Sequence, residues 1–236
     1  MYKLRLTLLA MLLAVPLAAA AAVSTDDLPG DTIWYLHADL EAMRNTESGS
    51  SVYAWFEDEV IEEVSEELGI DVNEELDSIT AFTDAELGTV VVVDGPLSQD
   101  TKDKLLAFVS TEQKVDPREF KGKSYFHMGD DKPRAKRDDE PFDDLSDSAF
   151  FSFDLKDRAI ITGSEEQMKA LLESGGKIAG RGSHNGALFV ISADKSFVQA
   201  GLRTDGLSDG DDDDDWESNI LRNTEQAALL VSDASG

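Results

Sequence analysis

The chain has 236 residues with 49 acidic and 21 basic side chains, a formal charge of −28, 41% hydrophobic residues and no cysteine. That apolar content is enough for a sizeable core, which excludes a disordered acidic tail, and the missing thiols exclude disulfide, thiolate-metal and cysteine-nucleophile chemistry. Nucleic acid is excluded as a partner because a polyanion gains affinity by releasing counterions to clustered Lys and Arg, whereas the basic cluster Lys132, Arg134, Lys136 and Arg137 is enclosed by Asp130, Asp131, Asp138, Asp139 and Glu140.

Residues 1–22 read as a signal peptide. Lys3 and Arg5 make a positive start, residues 6–17 form an apolar run broken by Pro16, and residues 18–22 are five alanines that offer cleavage sites. The run is too short to span a bilayer comfortably, so the mature form is expected to carry no integral membrane segment. None of the five asparagines has Ser or Thr two places on. The expected address is therefore bacterial, periplasmic or secreted.

Leu28-Pro29-Gly30-Asp31 is a turn signal, and the β-branched and aromatic run 32–38 predicts a strand. Residues 45–51 read as a loop. Val52, Trp55, Phe56, Val60, Val64 and Leu68 then recur at helical spacing and predict a helix over 52–68 that Gly69 ends. Two strands are predicted at 78–83 and 88–93. After the break at Asp94-Gly95-Pro96, Ser98 caps a helix to about residue 110 with Leu105, Leu106 and Val109 facing inward. Residues 123–128 predict a strand, and 149–155 pairs with 159–162 in a hairpin. Ser164-Glu165-Glu166-Gln167 fits a capping box for a helix burying Met168, Leu171 and Leu172, which Gly175-Gly176 stops.

Between 129 and 148 the chain is almost wholly charged and carries two prolines, which predicts a mobile loop. The glycines of 175–186 predict a linker or exposed turn, and Asp209 to Asp215 a self-repelling acidic loop. The widely spread acid reads as a solvated surface that keeps the protein in solution.

Trp34-Tyr35-Leu36-His37-Ala38-Asp39 and Phe189-Val190-Ile191-Ser192-Ala193-Asp194 share a pattern of apolar strand positions closed by Ala-Asp. That likeness predicts a domain over 23–185 and the start of a second unit over 186–236, apparently truncated. The expected fold is α+β, an antiparallel sheet covered on one face by amphipathic helices, with a partial second copy at the C-terminus. The Leu28-Pro29-Gly30-Asp31-Thr32 opening, Tyr35, Asp39-Leu40, Leu68-Gly69-Ile70-Asp71 and Leu76-Asp77-Ser78-Ile79-Thr80 resemble exported bacterial proteins of unknown function in which two similar α+β halves follow a signal peptide. The resemblance implies an address and an architecture; it implies no catalytic residue.

His184 beside Ser183 suggests a hydrolase, but the Gly-x-Ser-x-Gly elbow is missing and no orienting acid is marked. His37 and His127 sit in predicted strands and read as satisfied sheet residues. Oxygen-rich Asp209, Asp211, Asp213 and Glu217 suggest a low-affinity calcium module, although a twelve-residue calcium loop begun at Asp205 places Leu207 and Trp216 at ligand positions. Dinucleotide and Walker-type phosphate signatures fail. The expectation is a non-enzymatic binding or structural protein with no cofactor other than calcium, and with envelope proteins or cations as partners.

Overall fold

The computed structural model describes residues 32–61, 65, 71–85, 88–129, 145, 148–178, 187–197 and 224–232. Their fold is mixed α+β and is organised by one antiparallel sheet. Strand β1 (Thr32–Asp39) leads into helix α1 (Leu40–Asn45) and helix α2 (Glu47–Phe56), which continues as a π-helical turn over Glu57–Ile61. The short helix α3 (Val72–Glu75) precedes β2 (Ser78–Asp84) and β3 (Gly88–Asp94), and α4 (Gln99–Glu112) precedes β4 (Val115–Phe120) and β5 (Lys123–Gly129). Then come β6 (Ser148–Leu155), β7 (Arg158–Thr162), α5 (Glu165–Ser174), β8 (Ala187–Asp194) and β9 (Gln226–Ser232). The strand order is β4-β5-β6-β7-β3-β2-β1-β8-β9, and every neighbouring pair is antiparallel.

Because strand side chains alternate, the central strands divide the core in two. Tyr35, Phe82, Val90, Val92, Ile160 and Val190 lie on one face and meet Met168, Leu171 and Leu172 of α5. On the other face Leu36, Ala38, Ile79 and Ile191 meet Leu40 and Met43 of α1 and Tyr53 and Phe56 of α2. The helical cover is therefore divided, with α5 opposite α1 and α2.

Several boundaries follow from single side chains. Asp39 closes β1 and caps α1, its carboxylate accepting from the Ala42 N–H at 2.8 Å. Thr46 ends that helix and caps the next by accepting from Gly49 N–H at 3.1 Å. The loop expected at 45–51 is thus a helix junction, and α2 starts at Glu47. Gly49 belongs there because a Cβ would come within 2.6 Å of Met43 Cα, so only glycine lets the two helices approach so closely. The expected helix 52–68 is described only to residue 61 and at 65.

Ser98 caps α4 as expected, accepting from Thr101 N–H at 3.1 Å. Leu105, Leu106 and Val109 are only half-buried, however, and Phe108 is 40% exposed. The capping box at α5 is half made. Ser164 Oγ accepts from Gln167 N–H, while the Gln167 amide turns away to donate to Gly88 O at 3.3 Å. Gly175 then closes α5 in the left-handed conformation, φ 71°.

The end strand β4 was missed by sequence reasoning because it contains Pro117, which an interior strand excludes and an edge strand accepts. The charged loop 129–148 is described only at its ends and at Leu145, and the glycine-rich stretch 175–186 only to residue 178.

No separate second copy is shown. Residues 187–194 and 226–232 extend the first sheet. The two Ala-Asp strands nevertheless lie side by side, β1 against β8, with Leu36 opposite Ile191, Trp34 opposite Ala193 and Ala38 opposite Phe189. Aromatic therefore faces alanine on both sides of the central pair. A register shift between Thr32 and Trp34 in the β1–β2 pair has a counterpart between Ala187 and Phe189 in the β8–β9 pair. Asp194 accepts from Phe197 N–H at 2.9 Å, as Asp39 does from Ala42.

Candidate functional site

Among the described residues, ionisable groups converge where β4, β5 and β6 meet the start of α5. The β4–β5 register sets Arg118 opposite Tyr125, and the β5–β6 register brings Ser148 near His127. Glu165, in the first turn of α5, reaches back over this corner. A carboxylate there is favoured by the positive end of the helix dipole.

One oxygen, Glu165 Oε1, accepts from both Arg118 at 2.8 Å and the Tyr125 hydroxyl at 2.7 Å, while Lys169 lies 3.2 Å from the other oxygen. The Tyr125 hydrogen bond, helped by Arg118 and Lys169 against the cost of desolvation, pulls the Glu165 carboxyl down from 4.5 to about 2. Burial, reinforced by the Glu165 carboxylate, pushes the Tyr125 phenol up to about 12. Proton transfer at neutral pH needs a group that titrates near neutrality. Both groups lie far from it, so at neutral pH Glu165 stays ionised, Tyr125 keeps its proton, and the pair ties α5 to the sheet.

Beside them, the buried His127 stacks on Phe150 at 4.7 Å between ring centroids, and Arg118 lies 5.4 Å from the centre of the same ring. His127 Nε2 is 3.0 Å from Ser148 Oγ, a spacing that would suit a serine nucleophile and its base. The other nitrogen decides against that role. Nδ1 is 3.3 Å from Arg118 NH2, and a guanidinium only donates, so Nδ1 accepts and the ring proton resides on Nε2. Nε2–H donates to Ser148 and has no lone pair with which to take a proton from it.

An experiment on this corner has a definite sign. In the folded chain Glu165 stays ionised down to about pH 2, while the unfolded value is near 4.5. Its contribution is therefore full above about pH 4.5 and is lost as pH falls towards 2. Taken whole the difference is worth about 3 kcal/mol; with 33% of the side chain in water, roughly 1–2 kcal/mol is expected. Glu165→Gln should cost about that much at pH 7 and flatten the acid limb of the stability curve. Urea unfolding at pH 7, 4 and 3 checks it, and an unchanged pH dependence would show that the carboxylate is not held as described.

A second carboxylate works similarly. Glu75 accepts from Ser98 N–H at 2.8 Å and Thr101 Oγ1 at 2.8 Å, fastening α3 to the start of α4. Burial raises its pKa, but these hydrogen bonds and Lys104 outweigh burial and lower it overall.

Of the residues singled out from sequence, Ser183, His184, Asp209, Asp211, Asp213 and Glu217 lie outside the described residues. His37 is buried, with Nδ1 2.9 Å from Thr80 Oγ1 across the β1–β2 pair. Sequence reasoning missed Arg118, Tyr125, Ser148 and Glu165 as a group. They come from four elements; Tyr125 lay in a predicted strand and Glu165 in a predicted capping box, but no local pattern joined the four. Among the described residues no group of three or more His, Asp or Glu is placed to hold a metal ion. No helix among them is long and apolar enough to cross a membrane.

No protein-family model matches the chain, and no curated protein does. Among solved structures, the one titled "Structure of crystal form III of TP0453" aligns with a TM-score of 0.34 and 10% identity, over 74% of this chain and 64% of that one.

Proposed function

We propose that this protein is exported to the bacterial periplasm or beyond and acts there as a binding or structural body through its surface, without turning over a substrate. The observation that carries this reading is the contrast between the two ends of the sheet. Strand β4 closes one end with Asp116, Pro117, Arg118 and Glu119, residues that discourage another strand from pairing. At the other end β9 reads Gln-Ala-Ala-Leu-Leu-Val-Ser, with neither charge nor proline. On a chain of formal charge −28 such an uncharged edge is a distinctive surface. The leader-like residues 1–22 support the address, and the hydrogen-bonded pair of an ionised Glu165 and a protonated Tyr125, neither of which titrates near neutrality, supports binding over catalysis.

The test has two parts. Cell fractionation with intact-mass measurement should find the chain outside the cytoplasm and starting near residue 23. Immobilised protein should retain envelope components, while a broad ester and peptide panel gives no turnover. Uncleaved protein in the cytoplasm, or turnover that survives removal of contaminants, would contradict the reading.

A further inference from the structure

We propose that the outer edge of β9 is a strand-pairing site that takes an extended, β-branched peptide segment of a neutral or basic partner. This deepens the binding reading above and rests on it.

The centre of the sheet is built from two paired halves. Leu36 and Ile191 face one another as counterparts, and the register shifts, helix caps and aromatic-on-alanine pairs repeat on the two sides. Continuing outward, β1 pairs Asp39 with Ser78 and Thr32 with Asp84, and β8 pairs Asp194 with Gln226 and Ala187 with Ser232. By these registers β9 stands to β8 as β2 stands to β1.

The outer edge of β2 is covered by β3, whose sequence is Gly-Thr-Val-Val-Val-Val-Asp. Among the described residues no strand covers the equivalent edge of β9. Burial records the difference. Ala81 and Phe82 of β2 are buried, whereas Leu229 and Leu230 at the matching positions of β9 are only half-buried.

The fold thus shows the chemistry of a strand that fits this edge. An antiparallel segment like β3 would set valines opposite Ala227, Ala228, Leu229 and Leu230, as β3 does against Ile79, Thr80, Ala81 and Phe82. Main-chain hydrogen bonds would supply affinity, and the alternating side chains selectivity. Electrostatics selects the partner. A second copy of the chain brings another −28, and large like charge keeps proteins apart. A neutral or lysine-flanked segment meets no such penalty.

The direct probe is a labelled peptide copying residues 88–94 with lysines added at both ends, titrated into the full chain by fluorescence anisotropy. It should bind saturably. A peptide with proline at its central valine should bind about tenfold more weakly, the factor for one or two lost backbone hydrogen bonds. Ala228→Lys, a change at an exposed edge position, should weaken binding by a similar factor of about ten through edge blocking and repulsion of the flanking lysines, with the thermal transition of the folded chain unchanged. No binding, equal binding of the proline peptide, or full binding by the Ala228→Lys protein would overturn the proposal. A dimer mass in sedimentation that Ala228→Lys abolishes would assign the edge to a second copy and overturn it too. If Ala228→Lys protein still retains its envelope partners, this site fails while the broader binding reading stands.

Discussion

Leu172→Ala should cost about 2–5 kcal/mol, the range for truncating a fully enclosed leucine. Leu172 is 0% exposed and sits with Met168, also 0%, in the cluster that α5 forms with Tyr35, Phe82, Val92 and Ile160. On that face α5 is the helix that closes the core among the described residues. Removing the leucine's branched end leaves a void between a helix and a sheet whose positions are both fixed. Its carbonyl accepts from Lys123 Nζ, which restrains the helix from settling inward. Thermal denaturation followed by circular dichroism should show the midpoint falling by roughly 4–20 °C, given about 2–4 °C per kcal/mol for a domain of this size. Leu106→Ala, on the half-exposed α4, is the comparison and should cost about 1 kcal/mol, in proportion to the smaller apolar area it removes. Equal losses would mean that α5 is not the principal cover of that face.

Gly95→Ala should be comparably damaging for a backbone reason. Gly95 has φ 152°, where side chains are rarely accepted, and a Cβ there would overlap the Glu75 carbonyl oxygen and come within 2.9 Å of Asp77 N. Its surroundings cannot yield easily. Asp77 N–H donates to Asp94 O at 2.8 Å, Gly95 N–H to Asp157 O at 3.0 Å and Leu97 N–H to Gly95 O at 2.8 Å. Arg158 bridges Asp94 at 2.5 Å and donates to Gly176 O at 2.9 Å, joining the end of β3 to β7 and the end of α5. Backbone strain and overpacking each cost about 1–3 kcal/mol, so a loss of roughly 2–5 kcal/mol is expected. Gly122→Ala separates the two causes. Gly122 also has a positive φ, 76°, but a Cβ there meets nothing within 4 Å, so only strain of about 1–2 kcal/mol remains. Chemical denaturation of both variants should rank Gly95→Ala well below Gly122→Ala; the same midpoint for both would show that the junction gives way.

The sheet was largely legible in the sequence because its strands are marked twice, by β-branched or aromatic composition and by breakers. The Val90–Val93 run and the hairpin around Asp157 are the clearest cases. Helix starts were legible where a lone serine stands before an amphipathic run, at Ser98 and Ser164. Failures came where one residue serves two elements. Asp39 reads as a strand end but caps α1, and Gly49 reads as a loop residue but permits a helix crossing. Pro117 argues against a strand until the strand is known to be an edge.

The candidate site was far less legible. Ser183 and His184 attract notice because they are adjacent in sequence, whereas Ser148 and His127 are brought together by a strand register that no local pattern announces. The likeness of the two Ala-Asp strands was visible from the start. Its meaning, two counterpart strands paired about the middle of one sheet, required the registers.

Amide hydrogen exchange of the full chain, with and without the lysine-flanked copy of residues 88–94, tests surface pairing most directly. The expected result is slower exchange confined to residues 226–232, with the opposite edge at 115–120 unchanged. Protection appearing at 115–120 instead, or no change at 226–232 under saturating peptide, would contradict the claim that this protein binds through the β9 edge of its sheet.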